Sequence, residues 1–273
     1  MTALSRCLLA GAWIAATCIA ASADWTALHG SDPACTGAAR GAKVTLPLKT
    51  QWTFQTAGRV RSSAAIADGT AYIGSCDGKV YALDIATGRK RWEFQTGAEV
   101  YSSPAVADGR VFVGSRDGKI YALDAATGRR KWTHEVGRPV RASGVVVDGV
   151  LYIGSGEVCP EKGTFEQTRP NLWALDARTG QVKWKYNCGG IWGRPAVADG
   201  VVYVATMGAN IAALDARTGK VSWNVHTQAG PFWASPVVYN KTLLIGSIDK
   251  NLKNLYAMDT GNGHWRWVAD SGG

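Results

Sequence analysis

Histidine and methionine are scarce in this sequence, with four and three copies, and no apolar run approaches the ~20 residues that a membrane-spanning helix needs. His29, His134, His226 and His264 stand far apart and make no ligand pair. No Cys-x-x-Cys or Cys-x-x-Cys-His occurs, so neither a thioredoxin-like redox site nor a c-type haem attachment is signalled. A nucleophile–base pair and a phosphate-cradling loop are also missing: the glycines fall in turns and the serines recur in every repeat. Nowhere does an uninterrupted 3.6-residue pattern reach helical length.

What is there begins with a leader. Arg6 precedes an apolar run from Cys7 to Ala20, and Ala21-Ser22-Ala23 forms a small-residue cleavage site. Neither Cys7 nor Cys18 has the small residue before it that a lipoprotein signal requires. The expected organisation is a signal peptide over 1–23, an N-terminal extension over 24–49 and a repeat region over 50–273, with export to the periplasm. Cys35, Cys76, Cys159 and Cys188 remain after cleavage, and an even number in an exported chain favours disulfides. Cys159 and Cys188 fall at the same end of one repeat and are expected to pair, leaving Cys35 with Cys76. The net charge of +9 lies largely in turns such as Arg89-Lys90-Arg91 and Arg129-Arg130-Lys131, which read as solvated. Nucleic acid is not an expected partner for an exported chain.

The dominant feature is a repeat. The pattern Asp-x-x-x-Gly-x-x-x-Trp places tryptophans at 92, 132, 184, 223 and 267, and Trp52 precedes the first full unit. From Trp52 the spacings are 40, 40, 52, 39 and 44 residues, a period that means a solenoid or a propeller. Within a unit, four short segments rich in Val, Ile, Tyr and Phe are separated by Asp-Gly and Thr-Gly turns. Asp-Gly between apolar runs is a hairpin signal, because both turn residues must take positive φ. Each unit is therefore expected to be a four-stranded antiparallel meander, and the chain an all-β propeller with units near 57–97, 98–137, 138–189, 190–228 and 229–273. The motif tryptophans are expected to pack between neighbouring blades. The stretch around Trp52 looks like the outer strand of a further blade. The residues after Trp267 are too few to supply its three inner strands, so the expectation is either a truncated coding sequence or an open, C-shaped array that self-associates through its unpaired blade edges.

Ala82-Leu-Asp84-Ile-Ala-Thr87-Gly88-Arg-Lys-Arg-Trp92 resembles the tryptophan-docking motif of the pyrroloquinoline-quinone (PQQ) repeat propellers. The motif returns at Ala122–Trp132, Ala174–Trp184 and Ala213–Trp223, and departs at Ala257–Trp267, where Asn262 replaces Thr. The resemblance implies a propeller, and it spans two activities: PQQ dehydrogenases that also bind Ca²⁺, and cofactor-free proteins such as the assembly lipoprotein BamB. Dehydrogenases of the family carry calcium-binding acids, a catalytic Asp and often a disulfide between adjacent cysteines; no Cys-Cys dipeptide exists here.

Strand alternation puts the inter-blade loops at one end. Inner strands start there with Val-x-Ser-Ser-Pro or a relative of it, and the x position varies: Arg61, Tyr101, Arg141, Trp192 and Trp233. Two cations and three aromatics are expected to line the channel mouth. They suit a small planar anionic ligand such as PQQ, since Arg pairs with carboxylates and Trp stacks on flat rings; the same mixture suits a protein or peptide partner. Acids near the mouth are few. Asp77 and Asp117 belong to turns, which leaves Glu157 and Glu161 in an expanded third-unit loop, and Asp249. The reading is an exported, non-catalytic binding or scaffold module, with a PQQ-dependent alcohol or sugar dehydrogenase, or a fragment of one, as the alternative.

Overall fold

A computed structural model describes residues 49–156, 171–227, 231–247 and 254–270. The described residues form twenty strands and no helix, arranged as five antiparallel four-stranded sheets, each in sequence order. Blade 1 comprises β1 (Ala65–Ala67), β2 (Thr70–Gly74), β3 (Lys79–Asp84) and β4 (Lys90–Gln95). Blade 2 comprises β5 (Ala105–Ala107), β6 (Arg110–Gly114), β7 (Lys119–Asp124) and β8 (Arg130–Glu135). Blade 3 comprises β9 (Val145–Val147), β10 (Val150–Gly154), β11 (Leu172–Asp176) and β12 (Val182–Tyr186). Blade 4 comprises β13 (Ala196–Ala198), β14 (Val201–Ala205), β15 (Asn210–Asp215) and β16 (Val221–His226). Blade 5 comprises β17 (Val237–Tyr239), β18 (Thr242–Gly246), β19 (Asn254–Asp259) and β20 (Trp265–Asp270). The innermost strands neighbour one another in chain order, β1 beside β5, β5 beside β9, β9 beside β13 and β13 beside β17.

The turns explain the repeated spelling. Asp68-Gly69, Asp108-Gly109, Asp148-Gly149 and Asp199-Gly200 all have positive φ at both residues, the geometry of a two-residue hairpin loop matched to strand twist. In the third turn, Asp84 Oδ1 accepts from the backbone N of Ala86 and Thr87 and from Thr87 Oγ1, and Thr87 Oγ1 in turn accepts from Arg89 N. Blade 5 keeps this turn despite Asn262: Asn262 Oδ1 accepts from His264 N, doing the threonine hydroxyl's work. A register shift follows in every blade, between Ala82 and Leu83 in the first. The extra residue, Arg91, reaches back to Asp84 Oδ2 at 2.6 Å; Lys131–Asp124 and Arg266–Asp259 repeat the pair.

The core lies between sheets. Four apolar clusters each span two consecutive blades, from Tyr72 and Trp92 with Val111 and Leu123 to Tyr203 and Trp223 with Leu243 and Met258. The motif indole of one blade lies on the third turn of the next. Trp92 Nε1 donates to Ala125 O at 2.8 Å, Trp132 to Ala177 O, Trp184 to Ala216 O and Trp223 to Thr260 O. Gly128 beneath Trp92 has φ +72°, and a Cβ added there would sit 2.7 Å from the indole. That glycine is required both by the turn and by the ring above it.

Two expectations need correcting. Trp92, Trp184 and Trp223 are buried and Trp132 partly so, but Trp267 is 46 % exposed, because nothing in the described residues offers it a turn to lie on. The Trp52 stretch is not a strand, since no sheet partner lies beside it among the described residues. It nevertheless makes the side-chain contacts of one. Trp52 Nε1 donates to Ile85 O, Phe54 meets Tyr81 edge-on as Phe94 meets Tyr121, and Ala57 N donates to Asp77 as Gly97 N donates to Asp117.

Candidate functional site at the channel mouth

The loops entering the inner strands of blades 2, 3 and 4 are clamped by the residue before the variable position. The second strand of each of the first three blades ends in glycine, and a Cβ on Gly74, Gly114 or Gly154 would collide with Val100, Val140 or Ile191 of the next blade. The apolar side chain fills the cleft that the glycine leaves. In extended backbone its successor points the other way, so Tyr101, Arg141 and Trp192 are turned away from the inter-blade core.

The five variable residues form one row. The Arg61 guanidinium lies over the Tyr101 ring at 5.1 Å, and Arg141 lies over the same ring at 5.4 Å. Arg141 is also 4.7 Å from the Trp192 ring, and Trp192 and Trp233 approach to 5.1 Å with their planes 35° apart. Cation–π contacts of this kind are worth about 0.5–1 kcal/mol at exposed sites and more when desolvated. The row is therefore preorganised, with two charges held at fixed places by aromatic faces. Its outer end is open to solvent, since Trp233 is 49 % exposed. Trp192 Nε1 is buried without a hydrogen-bond partner, a donor turned away from water.

Two residues near the row were not singled out by the repeat pattern. Arg116, in the β6–β7 loop, also lies over Tyr101 at 5.5 Å and pairs with Glu99 at 3.2 Å. Arg194 is 2 % exposed and stands where the other blades carry serine. Those serines stitch the inner strands together: Ser63 N donates to Ser103 Oγ, Ser103 N to Ser143 Oγ, and Arg194 N to Ser235 Oγ. The substitution of Arg for a recurring Ser was the signal that could have found it.

The acids are placed differently. Asp77 accepts from Lys79 N and from the Tyr81 hydroxyl at 2.7 Å. Burial opposes its ionisation, but the hydrogen bonds from Tyr81, Lys79, Ser75 and Ala57 outweigh that and hold its carboxyl below the usual range. Asp77 is thus a structural group. Glu157, Glu161 and Asp249 lie outside the described residues. Among the described residues no three His, Cys, Asp or Glu side chains gather as a metal site.

The cysteine expectation is also corrected. Cys76 and Cys188 stand as free thiols, so the bridges Cys35–Cys76 and Cys159–Cys188 are not formed here; Cys35 and Cys159 themselves lie outside the described residues. Burial pushes the Cys188 thiol up to about 12, which keeps it protonated and unreactive.

A family profile described as outer membrane protein assembly factor BamB matches residues 48–190 and 168–273. The chain belongs to this family of PQQ-like repeat propellers. No protein of curated function matches it by sequence. Among solved structures, this PQQ-like propeller is similar to BamB from Moraxella catarrhalis, with 23 % identity and a TM-score of 0.67 over 80 % of this chain and 64 % of that one. It is similar to the quinohemoprotein alcohol dehydrogenase from Comamonas testosteroni at 21 % identity and a TM-score of 0.77, over 93 % of this chain and 50 % of that one. A europium-containing methanol dehydrogenase gives 19 % identity and a TM-score of 0.72. The propeller described here thus spans between half and two thirds of these chains, and at such identities the likeness is one of fold.

Proposed function

We propose that this PQQ-like propeller is an exported, non-catalytic binding or scaffold module, and that its channel-mouth face is the working surface. The observation that carries the reading is the unbroken row Arg61–Tyr101–Arg141–Trp192–Trp233, one residue from each of five blades. Arg and Trp are the side chains over-represented where protein interfaces concentrate their binding energy. The family's description as an assembly factor supports a polypeptide partner and a periplasmic setting. A fixed pair of guanidinium groups flanked by rings selects carboxylates beside apolar side chains, so the partner segment is acidic and carries aromatic or aliphatic residues.

The alternative, a PQQ-dependent dehydrogenase, draws on the likeness to quinoprotein structures. The residues at the mouth fit a stacked tricyclic quinone poorly. Arg141 already lies against both Tyr101 and Trp192, filling the interval in which a flat ring would stack. A photo-crosslinking residue placed at Trp233 in cells is expected to trap a discrete polypeptide, and Arg61→Ala with Arg141→Ala is expected to abolish the adduct. The same probe at Tyr239, at the opposite end of blade 5, should not trap it. Equal trapping at both positions would overturn the mouth as the working surface. Dye reduction on adding PQQ, Ca²⁺ and an alcohol would replace the reading with the dehydrogenase.

A further inference from the structure

Two clefts open between blades at the end that carries the Asp-Gly turns. One, of about 410 Å³, lies between blades 2 and 3, and the other, of about 440 Å³, lies between blades 3 and 4. Both volumes fall in the range of small-molecule sites. Their walls are counterparts in the repeat, so where they differ matters. In the cleft between blades 3 and 4, Tyr152 packs on Trp184 at 5.7 Å, and its hydroxyl and the Trp184 indole both donate to Ala216 O. The junction of blades 1 and 2 repeats this, with the Tyr72 hydroxyl and Trp92 both donating to Ala125 O.

Between blades 2 and 3 a phenylalanine takes the tyrosine's place. Phe112 lies on Trp132 at 5.8 Å with the same 44° tilt as Tyr152 on Trp184, so the ring is kept and only the hydroxyl is lost. Among the described residues Ala177 O accepts from Trp132 alone, although a carbonyl oxygen has two lone pairs. Two residues before Phe112, on the same face of β6, stands Arg110, where β10 has Val150. Arg110 Nη1 donates to Asp108 O, but its Nε is buried without a hydrogen-bond partner. Arg110, Phe112 and Ala177 all line the cleft. It therefore holds an unused acceptor and an unused cationic donor beside an apolar ring, where the neighbouring cleft has a valine and a carbonyl bonded twice.

The charges of the wall come in both signs. Arg178 and Lys183 join Arg110, and Asp108 and Asp148 face them, while Asp176 Oδ1 is already engaged by its own turn. A simple anion would meet the two aspartates and a simple cation the three basic groups, so the wall selects against both. A zwitterion satisfies each set. We propose that the cleft between blades 2 and 3 binds a free α-amino acid with an apolar side chain. Its carboxylate pairs with Arg110, its ammonium donates to Ala177 O and Asp148, and its side chain covers Phe112. The site lies at the opposite end of the blades from the mouth row and does not rest on the reading of that row.

Titration calorimetry of the purified full chain with L-leucine tests it. One saturable site per chain is expected. Leucinamide, which lacks the carboxylate, and 4-methylpentanoate, which lacks the ammonium, should each bind weaker by about tenfold or more. Phe112→Tyr restores the hydroxyl that Tyr72 and Tyr152 carry, so the fold accepts it, and by filling Ala177 O it should weaken leucine by about tenfold. Arg110→Val, the residue that blade 3 uses, should do the same. Arg61→Ala with Arg141→Ala should leave leucine binding unchanged, which separates this site from the mouth. Absence of saturable leucine binding overturns the proposal. So does equal binding of leucinamide or 4-methylpentanoate, undiminished binding in Phe112→Tyr or Arg110→Val, or loss of binding in the mouth variant.

Discussion

Blades 2 and 5 are built from the same spelling, yet their tryptophans have different fates. Trp132 lies on Gly180 and donates to Ala177 O, while Trp267 extends into solvent. Both follow the same Asp-turn-Gly and the same register shift, and both sit opposite an alanine in the ladder, Ala122 and Ala257. The hairpin therefore presents the indole whether or not a neighbour is there to receive it. Presentation is encoded within the repeat, and burial comes from the following one.

The comparison breaks most visibly through the indoles themselves. Trp92→Ala, at a site 8 % exposed, should cost about 3–5 kcal/mol in denaturant unfolding, whereas Trp267→Ala should stay within about 0.5 kcal/mol for the monomer. Similar losses at both positions would mean that Trp267 is covered in solution. A smaller contrast concerns the glycines. Gly128→Ala meets both a positive φ and the Trp92 ring, and should cost about 2–4 kcal/mol; Gly109→Ala has φ +67° and open space around it, and should cost about 1 kcal/mol. Equal costs would show that the turn, and not the ring above it, sets the requirement.

Acid should sharpen the picture further. Asp84 and Asp124 are both held at about 2, first by the hydrogen bonds from Arg91 and Lys131 and next by those from the motif threonines. Their folded values are below the unfolded one near 3.9, so the stability they contribute is present above that value and lost as pH falls through about 2. Apart from a shallow decline below about pH 6.5, the denaturation midpoint should drop mainly between about 4 and 2, and Asp84→Asn should flatten part of that drop. The smallest expected effect is at His134, which packs edge-on against Trp173 and whose Nε2 is buried without a partner. Burial, then the Lys185 charge, lowers its pKa, so the stability tied to its neutral form is present above about 6.5 and recedes as pH falls below that. Replacing His134 with Gln should remove a shallow decline that begins below about pH 6.5 while leaving the steep acid limb untouched.

Much of this was legible in the sequence because it is local. The Asp-Gly pairs fixed the hairpins, the forty-residue period fixed the blades, and the variable position before Ser-Ser-Pro or its relatives picked out five side chains that lie in one row. What escaped depends on partners distant in sequence. Arg116 reaches Tyr101 from a loop whose spelling signals only a turn, and the exposure of Trp267 depends on a neighbour that no residue within its own repeat specifies. The cysteine pairing was not legible either: Cys76 and Cys188 stand as free thiols, and the partners expected for them lie outside the described residues.

The one-way seating of each indole has a consequence for how such a chain can change over generations. Every junction joins the tail side of one repeat to the head side of the next, like overlapping roof tiles. A tandem duplication of one whole repeat therefore creates a single new junction of the same kind, and a deletion heals into one as well. Copy number can drift without a single compensating substitution, while the lone side chain each copy lends to the rim is left to diversify.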